Sequence, residues 1–423
     1  MYSISKNTKL FERIMAPSSD NNLPVILNTG FNSCESLQKA SSAKATDSAF
    51  DKQLALMNIT PIESFSGVYC TIETSLLSMI IQIENWKEMM CLRIFNKEVS
   101  PLLHWYKKHN NAVIMFNVEQ KPVALMGFLG KGTYSKAWEV YSFLDKDFKA
   151  VKFYKKPTKK GKSEAYTEKI LKEIQLQQSL KHPYILNLEN YDNLNTYIVT
   201  MQECCSSSLA SLARIRNDNN ILLKKLDLVY EALQALQYLH KTALYLHLDV
   251  KLSNLLLGKD GRVKLSDFGT ARKLSVIRKS QDKPVYGIIA DYSDTNNWLG
   301  SPAYLSEKHI EAMLNHSKNY VLNEQTDLYA FGCSLYELFT GHLFINRYLD
   351  VYKKSDSLKT ILTKILKEHQ ISTREINISI HNNEYASMAL TTLCKSLLFE
   401  TKPIDYYLNE VQFIITTLKI NTP

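Results

Sequence analysis

The sequence predicts an α+β chain in which a smaller, strand-rich part precedes a larger helical part. Short apolar runs bounded by turn residues gather between about 122 and 202: PVALMGFLGKGTYSKAWEVYS, FKAVKFY and YIVTM. After residue 220 the spacing changes. Leu222, Leu226, Val229, Leu233 and Leu236 recur at three- and four-residue steps, and Leu328, Phe331, Leu335 and Leu338 do the same, with Gly341 placed to cap that second helix. The stretch TMQECCS, 200–206, is the expected hinge, and no internal repeat is visible.

The 423 residues suffice for two or three domain-sized units, and 45% hydrophobic with 22% charged residues is an ordinary globular composition. The net charge of +9 suits anionic ligands such as phosphates but is too small to argue for nucleic acid, so no direct nucleic-acid binding is expected. Seven cysteines, at 34, 70, 91, 204, 205, 333 and 394, form no CxxC pair and read as free thiols of a reducing compartment. The first residues lack the apolar core of a signal peptide, and the longest apolar runs, such as 76–83, are too short to span a bilayer; a soluble intracellular protein is expected. Residues 1–50, rich in Ser, Asn, Lys and Ala, read as a disordered extension; 51–121 are better patterned but carry no motif.

From 122 onward the elements carry chemistry. Gly130, Gly132 and Ser135 lie in GKGTYSKA directly after an apolar strand, where small residues let backbone N–H groups approach phosphate oxygens. A strand follows rather than a helix, which excludes a dinucleotide-binding fingerprint. Lys152 ends the strand-like AVK. Glu173, on the next helical stretch, is the carboxylate expected to hold that ammonium, with Glu168 as the alternative. The basic loop 155–164 between them reads either as a solvated connection or as a nuclear-import patch.

Residues 245–269, YLHLDVKLSNLLLGKDGRVKLSDFG, place Asp249, Asn254 and Asp267 at the ends of short apolar strands, where charge needs a partner or a metal. His247-Leu248-Asp249-Val250, three residues and then Asn254 match H-R-D-L-x-x-x-N except at the arginine; Asp267-Phe268-Gly269 follows, then GSPAY at 300–304 and DLYAFG at 327–332. This ordered set resembles the eukaryotic-type serine/threonine protein kinases over residues 122–405.

The resemblance implies a bilobal protein-kinase fold, with a small β-rich N-lobe at 122–202, a larger α-helical C-lobe at 203–423, and ATP between them. It implies that Asp267 and Asn254 hold Mg2+, that Lys152 and Glu173 secure the α and β phosphates, that Asp249 accepts the substrate proton, and that Lys251 neutralises charge on the transferring group. Leu129, Ala150 and Leu256 match positions that sandwich adenine in that family; plain core packing fits these residues equally. Lys251 and Ser301 favour Ser/Thr-containing protein substrates, and Asp327 matches the residue that anchors the catalytic loop. Loss of the H-R-D arginine, with the layout, is also similar to the conserved herpesvirus protein kinase, which implies action in a host nucleus; a divergent cellular kinase is the other source. A non-catalytic kinase-fold scaffold and a small-molecule phosphotransferase are the functional alternatives.

Three departures carry expectations of their own. Leu248 cannot pair with a phosphate in the activation segment. Glu307, ending a degraded A-P-E, is expected to pair with Lys402, a weaker partner than arginine. Gln177 stands where the family packs a leucine behind Phe268.

Overall fold

The computed structural model describes residues 59–64, 67–72, 113–118, 121–131, 135–142, 145, 147–157, 162–194, 197–280, 283–294, 299–345, 357–372 and 376–420. Gly132 and Thr295 lie outside the described residues, as does the 1–50 extension. The chain separates into two compact units: residues through Glu168 with Glu189–Glu203, and Lys169–Leu188 with everything from Cys204.

The first unit is built on an eight-stranded sheet. Its strands are β1 (Ile59–Ser64), β2 (Gly67–Ile72), β3 (Val113–Val118), β4 (Lys121–Lys131), β5 (Ser135–Ser142), β6 (Asp147–Lys155), β7 (Leu188–Asn193) and β8 (Tyr197–Glu203), in the order β1-β2-β3-β4-β5-β6-β8-β7. All the pairings along β3 to β6 and on to β8 are antiparallel, while β2 and β3 run parallel. The period-two alternation sorts side chains cleanly. Trp138, Val140, Val151, Phe153, Val199 and Met201 are fully buried, and register pairs Trp138 with Val151 and Phe153 with Val199 on one face. Ala150, Lys152 and Thr200 take the opposite face, with Lys152 opposite Thr200. The strands read at 122–142, 148–154 and 197–201 are present, the last two extended to Asp147–Lys155 and Tyr197–Glu203, and the sheet continues through β1 to β3, which no motif announced.

Helix α1 (Lys162–Ser179) buries Ile170, Ile174 and Gln177 along one face. In the second unit, α2 (Leu209–Leu212) precedes α3 (Asn219–Gln237), which Asp218 caps by accepting the Ile221 N–H. The five apolar residues that predicted α3 are all buried in it. It runs into a single π turn, Tyr238–Ala243, that stops at Leu244 in the left-handed region. Beyond α4 (Glu307–Leu314) comes α5 (Glu324–Thr340). Asn323 and Thr326 form a capping box at its start, and Gly341, φ +77°, closes it as expected. A Cβ on Gly332 would stand 2.9 Å from the Leu397 Cβ, so this glycine permits close approach of α5 to α7 (Glu384–Phe399). Helices α6 (Leu358–Ser372) and α8 (Ile404–Ile420) complete the set, α8 packing on α3.

Short strands carry the loops between the helices. These are β9 (Ser207–Ser208), β11 (Leu255–Leu257) and β12 (Val263–Leu265) in one sheet, the pair β10 (Tyr245–Leu246) with β13 (Arg272–Lys273), and a three-stranded sheet of β14 (Ser275–Ser280), β15 (Lys283–Ala290) and β16 (Tyr320–Leu322). Cys204, Cys205, Cys333 and Cys394 are free thiols. Among the described residues no helix is long and apolar enough to cross a membrane.

Candidate active site

The site in the second unit is organised by one buried aspartate. Asp327, in the first turn of α5, is fully buried. Its Oδ2 accepts the His247 backbone N–H and its Oδ1 that of Leu248, both at 2.8 Å, while His240 Nε2 donates to Oδ2 at 2.8 Å. Burial pushes the Asp327 carboxyl up, but the His240 bond, the nearby His240 and His247 rings and the His247 backbone donor outweigh it and hold it below its ordinary value. These bonds grip the loop so firmly that Leu248 sits at φ +63°, a left-handed conformation that costs a leucine on the order of 1 kcal/mol or more.

His247 aims the next residue. Its Nε2 donates to the Ser266 carbonyl at 3.0 Å, its Nδ1 accepts the Asp249 N–H at 3.3 Å, and its ring meets Phe268 edge-on. Asp249 is then held from three sides. Lys251 Nζ donates to Oδ2 at 2.8 Å, Asn254 Nδ2 donates to the backbone carbonyl at 2.8 Å and to Oδ2 at 3.2 Å, and the Ser301 hydroxyl donates to Oδ1 at 2.6 Å. Lys251 Nζ also donates to Ser301 Oγ at 2.8 Å. The carboxylate therefore already receives one aliphatic hydroxyl, with an ammonium beside both groups.

Asn254 and Asp267 are neighbours through the backbone: the Ser266 N–H and hydroxyl both donate to the Asn254 carbonyl at 2.9 Å. Asp267 is exposed at φ +67°, and among the described residues nothing bonds its carboxylate. The Asn254 Oδ1 is likewise unengaged among them. A carboxylate and an amide oxygen are hard donors that suit Mg2+, which takes its remaining ligands from water and phosphate. The fit to such an ion is chemical; no cluster of three or more His, Cys, Asp or Glu occurs among the described residues. Glu173 lies beside this segment, its Oε2 3.0 Å from where a Cβ on Gly269 would be.

In the first unit, Lys152 Nζ lies 5.1 Å from the centre of the Tyr154 ring. Gly130 is not required by packing, since a Cβ there would meet no atom within 4 Å; that room fits close approach of a phosphate. On the Lys152 face, the fully buried Thr200 hydroxyl has no hydrogen-bond partner among the described residues. An orphaned hydroxyl there fits a polar ligand group, and the sequence contained no signal for it beyond its place on a strand. Ala150 is buried, Leu129 is exposed, Ser135 opens β5, and Leu256 in the second unit is half-buried.

One expectation changes. Glu307 and Lys402 form no ion pair; Lys402 Nζ lies 3.7 Å from Glu400 instead and over the Tyr406 ring, and its carbonyl accepts Gln325 Nε2. Glu400 is only two positions from Lys402 in the chain and is the carboxylate that meets it. Gln177, polar where the family packs a leucine, is accommodated: it is buried and its Nε2 donates to the Leu186 carbonyl at 3.0 Å. Leu186 N–H in turn bonds the Leu265 carbonyl, two residues before Asp267.

Residues 123–403 match the family model described as protein kinase domain. The chain belongs to the protein kinase family. It is 31% identical over 175 residues to the serine/threonine-protein kinase RUNKEL of Arabidopsis thaliana, covering 41% of this chain and 11% of that protein. It is 29% identical over 231 residues to the serine/threonine-protein kinase ULK3 of Homo sapiens, covering 52% and 43%, and 29% identical over 225 residues to the serine/threonine-protein kinase polo of Drosophila melanogaster, covering 53% and 34%. The kinase chain thus spans less than half the length of these curated relatives. The α+β division into a sheet-based and a helical unit is that of the kinase fold.

Proposed function

We propose that this kinase domain is catalytically active and transfers the γ-phosphoryl group of ATP to Ser/Thr hydroxyls of proteins. The observation that carries this reading is the hydroxyl of Ser301 donating to Asp249 Oδ1 at 2.6 Å with Lys251 bonded to both. That is the arrangement a base needs to receive the proton of an attacking alcohol.

ATP supplies the phosphoryl group, and Mg2+ neutralises its charge when bound. Asp249 orients the substrate hydroxyl and accepts its proton. Lys251 stabilises negative charge beside that oxygen. Asn254 keeps the Asp249 carboxylate in place and, with Asp267, offers oxygen ligands to the cation. Lys152, secured by Glu173, binds phosphate oxygens, and the backbone around Gly130, Gly132 and Ser135 receives them. Leu129, Ala150 and Leu256 pack the base. On this reading 122–202 and 203–423 are the two lobes.

Serine/threonine specificity is supported by Lys251 and Ser301 and by the names of the relatives. The viral lineage rests on HLDVKLSN and the layout alone. The test is Mg-ATP-dependent labelling of myelin basic protein, followed by phosphoamino-acid analysis, with Lys152→Met alongside. Phosphoserine and phosphothreonine from wild type, reduced at least about a hundredfold by the substitution, support it. Equal labelling by both proteins points to a non-catalytic scaffold.

A further inference from the structure

The loop that seats the substrate, 300–307, is the part of a kinase domain that must hold still while a protein binds. The ion pair expected to brace its end, Glu307 with Lys402, does not form. Something else secures it.

His369, in the last turn of α6, is 2% exposed, and its Nε2 meets the Leu305 carbonyl at 2.9 Å. A carbonyl only accepts, so Nε2 carries the proton and donates. Burial keeps this imidazole neutral, holding it below its usual range against the opposing effect of the Leu305 bond. Leu305 is itself buried, and its side chain closes on Gly300: a Cβ there would lie 2.9 Å from Leu305 Cδ2 and 3.0 Å from the Leu248 carbonyl. Gly300 precedes Ser301, which bonds Asp249. An unbroken run of contacts thus leads from α6 through Leu305 and Gly300 to the loop that carries the base. Helix α6 also packs on the 302–304 turn and on α4.

We propose that His369 is a positioning residue: its hydrogen bond to the Leu305 carbonyl braces the substrate-seating loop in place of an ion pair to Glu307. The proposal rests on the kinase reading for its kinetic consequences, but the brace itself is testable without activity.

Two variants separate the roles of ring and donor. His369→Phe keeps a ring and removes the N–H; His369→Gln keeps an N–H of similar reach. Measured on the full chain with Mg-ATP and myelin basic protein, His369→Phe raises the KM for the protein or lowers kcat/KM about tenfold, while the KM for ATP stays within about twofold; His369→Gln recovers most of the loss. Amide hydrogen exchange of the peptide spanning Ser301–Glu307 accelerates about tenfold in His369→Phe and returns toward wild type in His369→Gln, with α3 unchanged. Unchanged exchange and unchanged kcat/KM in His369→Phe overturn the proposal. So does loss of protection throughout the second unit with no recovery in His369→Gln, which marks a core packing role. Wild-type protein that transfers no phosphate removes the kinase reading instead, and the exchange result then decides the brace alone.

Discussion

Leu248, Asp267 and Gly300 hold positive φ angles of 63°, 67° and 88° around Asp249. Strain of this kind persists only where neighbours over-determine it. Asp327 supplies that for Leu248 through two backbone bonds, and Gly300 avoids it by having no side chain. Gly300→Ala therefore meets two penalties, a left-handed alanine and a Cβ 3.0 Å from the Leu248 carbonyl. The expected outcome is a loss of about 1–3 kcal/mol in denaturant unfolding and a fall of about tenfold or more in kcat/KM. Full activity in Gly300→Ala would contradict the close packing described. Asp249, Asn254, Asp267 and Lys251, the residues of the proposed chemistry, could be singled out in sequence because that chemistry demands particular residue types at nearly fixed spacing. Thr200 and His369 were not, because a threonine on a strand and a histidine on a helix acquire meaning only from what the fold places beside them.

At the scale of elements, periodicity located α3 and α5, since burial of one face dominates there, and Gly341 closes α5 as expected. The activation segment was harder to read. Its strands β14 and β15 form a hairpin locked to β16 just before α5, a pairing between residues some thirty positions apart that no local pattern encodes. Leu248 removes the cation that would read a phosphate on this segment. Ser293→Ala is accordingly expected to keep turnover within about twofold of wild type; loss comparable to Asp249→Asn in the same assay would show that a phosphate there is required. The segment is fixed beneath by Tyr292, whose hydroxyl meets His309 Nε2 at 2.6 Å, with Tyr320 stacked on the imidazole. Burial pushes His309 down to about 4. Unfolded histidine titrates near 6.5, so the unfolded chain binds the proton first. The stability involved is intact above about pH 6.5 and is lost as pH falls toward about 4, up to about 3 kcal/mol in all. Denaturant unfolding at pH 7 and pH 4.5 should show this slope, and His309→Gln should flatten it.

For the whole molecule, the division into a strand-rich and a helical unit followed from a change of period along the chain, which is why the fold class was readable. The pairing of Glu307 with Lys402 was misread because sequence spacing does not rank competing partners, and Glu400 lies nearer in the chain. Gln177 shows the same gap: its amide found a carbonyl at Leu186 that only the fold could supply. What unites these observations is a single carboxylate, Asp249, on a loop held by Asp327 of α5 and flanked by an ammonium and a hydroxyl. The most direct measurement is the single-turnover rate of phosphate transfer from Mg-ATP to a protein serine, compared between wild type and Asp249→Asn. The expected result is transfer by wild type and a rate lower by a factor on the order of 10²–10⁴ in the variant at similar thermal stability. Equal rates, or no transfer from a folded wild-type chain that binds Mg-ATP, would contradict it.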